Sequence, residues 1–147
     1  MFTIPDTKVT RASVYKAAGE ARYREAEFLK EEHPSGSIYL AGYLVECLLK
    51  WALCKRNGVQ YLQALPDKRL VDMLTSGKGH NLETLCGKTG YDIHFDRNEE
   101  VRKAFLRTAQ WSPNIRYIAS CGGRSEAGQF LAAVRILRKD IESWATK

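Results

Sequence analysis

Ser37-Ile38-Tyr39-Leu40-Ala41-Gly42-Tyr43-Leu44-Val45-Glu46-Cys47-Leu48-Leu49-Lys50-Trp51-Ala52-Leu53 carries one carboxylate, Glu46, among largely apolar neighbours. Ile38, Ala41, Val45, Leu48, Leu49 and Ala52 recur at the spacing of one helical face, which predicts a helix with a core-facing stripe. Glu46 shares its side of that helix with Gly42, Leu49 and Leu53, which places the carboxylate at the edge of the buried stripe. A carboxylate there requires a cationic or hydrogen-bonding partner, because leaving its charge unpaired away from water is costly.

Helical signals continue on both sides. Upstream, a first helix is expected from about Thr10 or Ser13 to Glu32, with Val14, Ala17, Ala18, Ala21, Phe28 and Leu29 facing inward, broken by His33-Pro34-Ser35-Gly36. The central helix is expected from Ser37 to Arg56, stopped by Asn57-Gly58, a favourable pair for a left-handed terminus. The short link makes these two helices antiparallel neighbours. Pro66-Asp67 can start a short helix through Met73 and Leu74, Gly77-Lys78-Gly79-His80 ends it, and another begins with His80 or Asn81 as its cap. A further helix takes Asn98 to about Gln110, with Val101, Phe105 and Leu106 on its inner face.

Trp111-Ser112-Pro113-Asn114-Ile115-Arg116-Tyr117 interrupts the pattern, and Gly122-Gly123 precedes a last helix from about Ser125 to Thr146. Phe130, Val134, Leu137, Ile141 and Trp144 form a narrow seam on it, suited to packing in a bundle or against another subunit. There is no internal repeat and no sustained alternation that demands a strand. The fold class is therefore all-α: an up-and-down antiparallel bundle of about four to five main helices, with short helices in the 59–96 region. The 147 residues suit a single domain, 1–147, with one core.

Hydrophobic content of 44% and charged content of 27% are those of an ordinary globular chain. By inspection no apolar run reaches the length needed to cross a bilayer, and the opening Met1 to Asp6 lacks the basic start and apolar middle of a signal peptide. These features lead us to expect a cytoplasmic protein without a membrane partner. Cys47 and Cys54 lie two helical turns apart, about 10.5 Å along the axis, too far for a disulfide or a shared metal. Reduced and mostly buried thiols follow. The net charge of +6 suits RNA or DNA, yet Lys and Arg are interspersed with Glu and Asp, as on a solvated surface.

The segment Ala41-Gly42-Tyr43-Leu44-Val45-Glu46-Cys47-Leu48-Leu49-Lys50 resembles the second helix of HEPN domains (higher eukaryotes and prokaryotes nucleotide-binding domains). Three further pieces fit the same pattern in order: Ala21 to Leu29, then Gly79-His80-Asn81-Leu82 with Leu85, then Trp111 with Arg116-Tyr117 before the last long helix. The resemblance covers the chain from about Thr10 to its end. It implies a homodimeric helical module that binds RNA or a nucleotidyltransferase partner, in a defence or toxin-antitoxin setting. HEPN nucleases carry an Arg followed after four to six residues by a His, which act without metal on the 2′-hydroxyl and scissile phosphate of RNA.

Arg116 matches that Arg, but Tyr117 to Gly123 contain no His, and Cys121 occupies its first permitted position. Two readings follow. Arg116 and Tyr117 contact a phosphate and a base, as a divergent metal-independent ribonuclease or a binding surface, with His80 as a catalytic candidate from outside the usual motif. Alternatively, Arg116 pairs with Glu46 inside the bundle, its planar fork matching a partly buried carboxylate. Arg124, beside Gly122-Gly123 at the start of the last helix, is a further candidate for anion binding, with ordinary turn-and-cap chemistry as the other account. His33, His80 and His94 make no ligand pair at helical or finger spacing, so neither a metal nor a cofactor is expected.

Overall fold

The computed structural model describes residues 1–3 and 10–147, so residues 4–6 of the opening segment lie outside the described residues. Seven α-helices follow in order: α1 (Ala12–Leu29), α2 (Pro34–Arg56), α3 (Lys68–Leu74), α4 (Leu82–Thr89), α5 (Tyr91–Phe95), α6 (Glu99–Thr108) and α7 (Arg124–Ala145). Three 3-10 turns, Leu62–Ala64, Gly77–His80 and Pro113–Tyr117, stand between them. Among the described residues there is no strand, only an isolated antiparallel bridge between Arg11 and Tyr61. The protein is an all-α helical bundle.

α2 is its axis. From Leu44 to Lys50 every residue is buried, two full turns with no wet face. This differs from the expected single stripe, and the reason is the number of neighbours: α1, α7, α4 and the Pro113–Tyr117 turn all pack on α2. Full burial of Leu44, Leu48 and Leu49 contributes about 1.5–3 kcal/mol per side chain. α2 is also long and apolar enough to cross a membrane by length and composition, with a mean hydropathy of 1.3, which corrects the expectation that no run has that length. In the bundle 78% of that window is buried by protein.

α1 runs antiparallel to α2: the Ser37 hydroxyl donates to the Ala26 carbonyl at 2.7 Å, and the Lys16 ammonium sits 4.4 Å from the Trp51 ring centroid. The inner face of α1 is not the expected one. Ala12, Gly19, Tyr23 and Ala26 are buried, whereas Val14, Ala17, Ala18 and Phe28 are exposed, Phe28 at 87%. Small residues make the seam because the helices approach closely, and a methyl at Gly19 would lie 2.8 Å from the Cys47 Cβ. Tyr23 belongs inside because its hydroxyl finds Glu27 at 2.7 Å.

α7 packs on α2 and α6, and all five residues of its seam, Phe130, Val134, Leu137, Ile141 and Trp144, are buried within this chain. Of the two uses open to that seam, packing within the bundle is the one realised. α6 buries Val101, Ala104 and Phe105, while Leu106 points outward at 60% exposure, against the expected inner face. The caps follow sequence chemistry: Asp67, Asn81 and Asn98 accept amides of α3, α4 and α6. Gly58 at φ +66° closes α2 as Asn57-Gly58 required.

Candidate functional site

Gly42 has no side chain, and Trp111 lies against it; a methyl there would overlap the indole. The indole N–H donates to the Tyr39 carbonyl at 3.0 Å, and the ring meets Tyr43 edge-on at 4.9 Å. Trp111 thereby pins the turn Pro113–Tyr117 to α2. The turn Gly77–His80 reaches α2 nearby because Gly79 lies on the Leu74 carbonyl, where a Cβ would collide. Between the two turns is a groove of about 610 Å³ lined by Tyr43, Lys78, His80, Asn114 and Arg116, among others. His80 and Arg116, distant in the chain, are brought to one site.

Glu46 is 4% exposed beneath this groove. Its Oε1 bonds the His80 Nδ1 and lies 3.5 Å from the Lys50 ammonium, itself buried. The expected Glu46–Arg116 ion pair is therefore corrected: Lys50 and His80 satisfy the carboxylate, and Arg116 points outward without a carboxylate within 4.0 Å among the described residues. Arg116 is instead fixed by aromatic neighbours, its guanidinium 4.9 Å from the Tyr117 ring centroid, and its charge is reinforced by hydrogen bonding to the Tyr117 and then the Tyr39 hydroxyls. Tyr117 is 77% exposed, so the face of its ring is accessible.

The imidazole of His80 is 44% exposed, with Nδ1 held by Glu46. Nε2 has no hydrogen-bond partner among the described residues, so one edge of the ring is held and the other is open. Tyr43 cannot share that role: burial, reinforced by the bond with Tyr39 at 3.1 Å, pushes its phenol well above the usual range. Arg124 does not join the groove; its Nε donates to the Glu31 carbonyl at 2.8 Å, tying α7 to the end of α1. At the start of α7 the Gly123 amide is taken by the Glu126 carboxylate at 2.9 Å, which is the turn-and-cap account.

The thiols are sorted by burial. Cys47 is pushed up to about 12 and Cys54 to about 11, both chiefly by desolvation, and Cys86 is raised by the same cause. Cys121 alone is exposed. No group of three His, Cys, Asp or Glu is arranged to hold a metal among the described residues.

Sequence reasoning passed over two parts of the site. Lys50 stands four residues after Glu46, the spacing of a helical ion pair, so its signal was present. Asn114 had no local signal, since only the docking of two turns on α2 brings it, with Lys78, to Arg116. Comparisons with protein-family models, with curated proteins and with solved structures return no match.

Proposed function

We propose that the chain is a HEPN-like interaction module whose groove between Gly77–His80 and Pro113–Tyr117 binds single-stranded RNA. One observation carries this reading: Arg116, Lys78 and His80 line one groove, and neither Arg116 nor Lys78 pairs with a carboxylate among the described residues. Free cations of this kind gain affinity by releasing counterions from phosphates. The exposed Tyr117 ring beside Arg116 offers a stacking surface for an unpaired base. Anisotropy of a labelled single strand, titrated with salt, tests the reading. Arg116→Ala and Lys78→Ala each weaken binding and reduce the salt slope by about one. No binding at low ionic strength removes it.

A second reading is favoured by the Glu46–His80 pair. The groove cleaves RNA without metal: His80 Nε2 takes the proton of the 2′-hydroxyl, the 2′-oxygen attacks phosphorus, and the 5′-oxygen leaves with a proton returned by the imidazole. Arg116 neutralises the phosphate and Tyr117 holds the adjoining base. Incubation with labelled RNA in EDTA, with His80→Gln and Arg116→Ala as controls, decides it; absent or unaltered cleavage sinks it.

The resemblance also implies a homodimer and a nucleotidyltransferase partner. With the α7 seam spent inside the chain, self-association takes the exposed apolar face of α1, Val14 and Phe28. Light scattering at several concentrations checks this, and Phe28→Ser shifts it toward monomer.

A further inference from the structure

The turn Pro113–Tyr117 has a second side. A cavity of about 380 Å³ opens between α6, α7 and the turn, with Ile38, Ile115 and Phe130 among its apolar walls and Arg107, Gln110 and Gln129 among its polar ones. Ile115 lines this cavity and Arg116 lines the groove, so consecutive residues of one turn face the two openings. The polar groups retain capacity. Arg107 has no carboxylate within 4.0 Å among the described residues, and Gln129 spends only its amide N–H on Ser125, at 3.4 Å. The one carboxylate at the cavity, Glu126, is already taken by the Gly123 amide at 2.9 Å.

We propose that this cavity receives one unstacked guanine base of the strand whose phosphate lies at Arg116. The inference rests on the RNA-binding reading and deepens it to a base preference. The volume falls in the range of small-ligand sites and exceeds what a water cluster needs. Its apolar walls suit the faces of a base, and its rim suits a base edge. Guanine is the base that uses both kinds of rim group: its O6 and N7 accept from the Arg107 fork, while its N1–H and amino group donate to the Gln110 and Gln129 carbonyls. Cytosine and uracil lack the purine N7 acceptor for the fork. Adenine presents a donor where guanine presents O6, so an Arg discriminates against it.

The experiment measures anisotropy of a uridine homopolymer and of the same strand with one central uridine replaced by guanosine, adenosine or cytidine, on the intact protein and on Arg107→Ala, Gln129→Ala and Arg116→Ala. All three side chains are exposed, so the variants fold, as circular dichroism verifies. The guanosine strand binds roughly tenfold tighter than the other three. Arg107→Ala erases that preference and Gln129→Ala reduces it. Arg116→Ala weakens all strands alike and keeps the ratio between them. Equal affinity for all four strands, or a guanosine preference untouched in Arg107→Ala, overturns the base pocket and leaves the RNA-binding reading standing. Failure of every strand to bind at low ionic strength overturns the RNA-binding reading, and the base pocket with it.

Discussion

Two imidazole–carboxylate pairs sit among the described residues of this bundle, and they differ in what surrounds each pair once it is made. At Asp140 one oxygen takes both partners: Oδ2 accepts the Tyr91 hydroxyl at 2.6 Å and bonds the His94 Nε2 at 3.1 Å. The His94 ring lies against Tyr91 and Trp144, with centroids 5.6 and 6.0 Å away. At Glu46 the partners are a buried ammonium and an imidazole whose far edge faces a groove carrying two unpaired cations. The first pair staples α5 to α7. The second keeps a hydrogen-bonding edge and a cationic surrounding available, which is what a functional pair needs and a structural one lacks.

The largest expected effect comes from breaking the Glu46 pair at its buried end. Glu46→Ala leaves Lys50 inside the bundle without its carboxylate, the Tyr15 ring centroid lying 5.7 Å from its charge. Stranding a buried ammonium costs about 3–5 kcal/mol, read as a lower urea midpoint at constant slope. The double variant Glu46→Leu/Lys50→Met restores most of the loss, because an apolar replacement removes both charges at once. A Glu46→Ala variant as stable as the parent breaks the contrast with Asp140.

Tyr91→Phe comes next. It deletes the shorter of the two bonds to Asp140, made by a phenol that is itself buried, at a cost of about 1.5–3 kcal/mol. The pH dependence carries a sign. Burial first, and then the bond to Asp140, hold the Tyr91 phenol above its ordinary value near 10. That contribution to stability is complete below the unfolded value and is lost as the pH rises past it. The gap between parent and Tyr91→Phe therefore narrows in the alkaline range, and urea titrations at rising pH measure it.

The contrast between the two pairs was only partly legible in the sequence. That Glu46 needs a partner was readable from one carboxylate in an apolar helix; that His80 and not Arg116 reaches it was not. Both follow glycines, prolines or turns that leave their height over α2 open, and Gly79 and Trp111 decide it through packing. Helix caps were readable because Asp67, Asn81 and Asn98 act on amides two or three residues away. The Tyr91–Asp140–His94 staple joins side chains far apart in the chain and leaves no local trace. The face of α1 was misread because hydrophobic bulk points to Val14 and Phe28, whereas a close helix pair selects Gly19 and Ala26.

His80→Gln has a smaller effect on stability than either change above. The imidazole is nearly half exposed, and Lys50 still serves Glu46 when it is gone, so the loss stays below about 1 kcal/mol. The corresponding His94→Gln removes a ring that stacks on Tyr91 and tilts against Trp144 and costs more, with no effect on any RNA binding at the Arg116 groove.

Arg116→Ala closes the series with no change in thermal midpoint. An ion pair with Glu46 would have made this substitution strongly destabilising; the guanidinium instead lies outside the core, over Tyr117, with the carboxylate already served by two other groups. What the substitution changes is the charge and shape of the groove. Differential scanning fluorimetry of Arg116→Ala beside Glu46→Ala is the direct comparison: a flat response for the first and a large drop for the second follow from the partners Glu46 has. A drop of similar size in both returns Arg116 to the interior and reduces the Glu46–His80 pair to a staple like the one at Asp140.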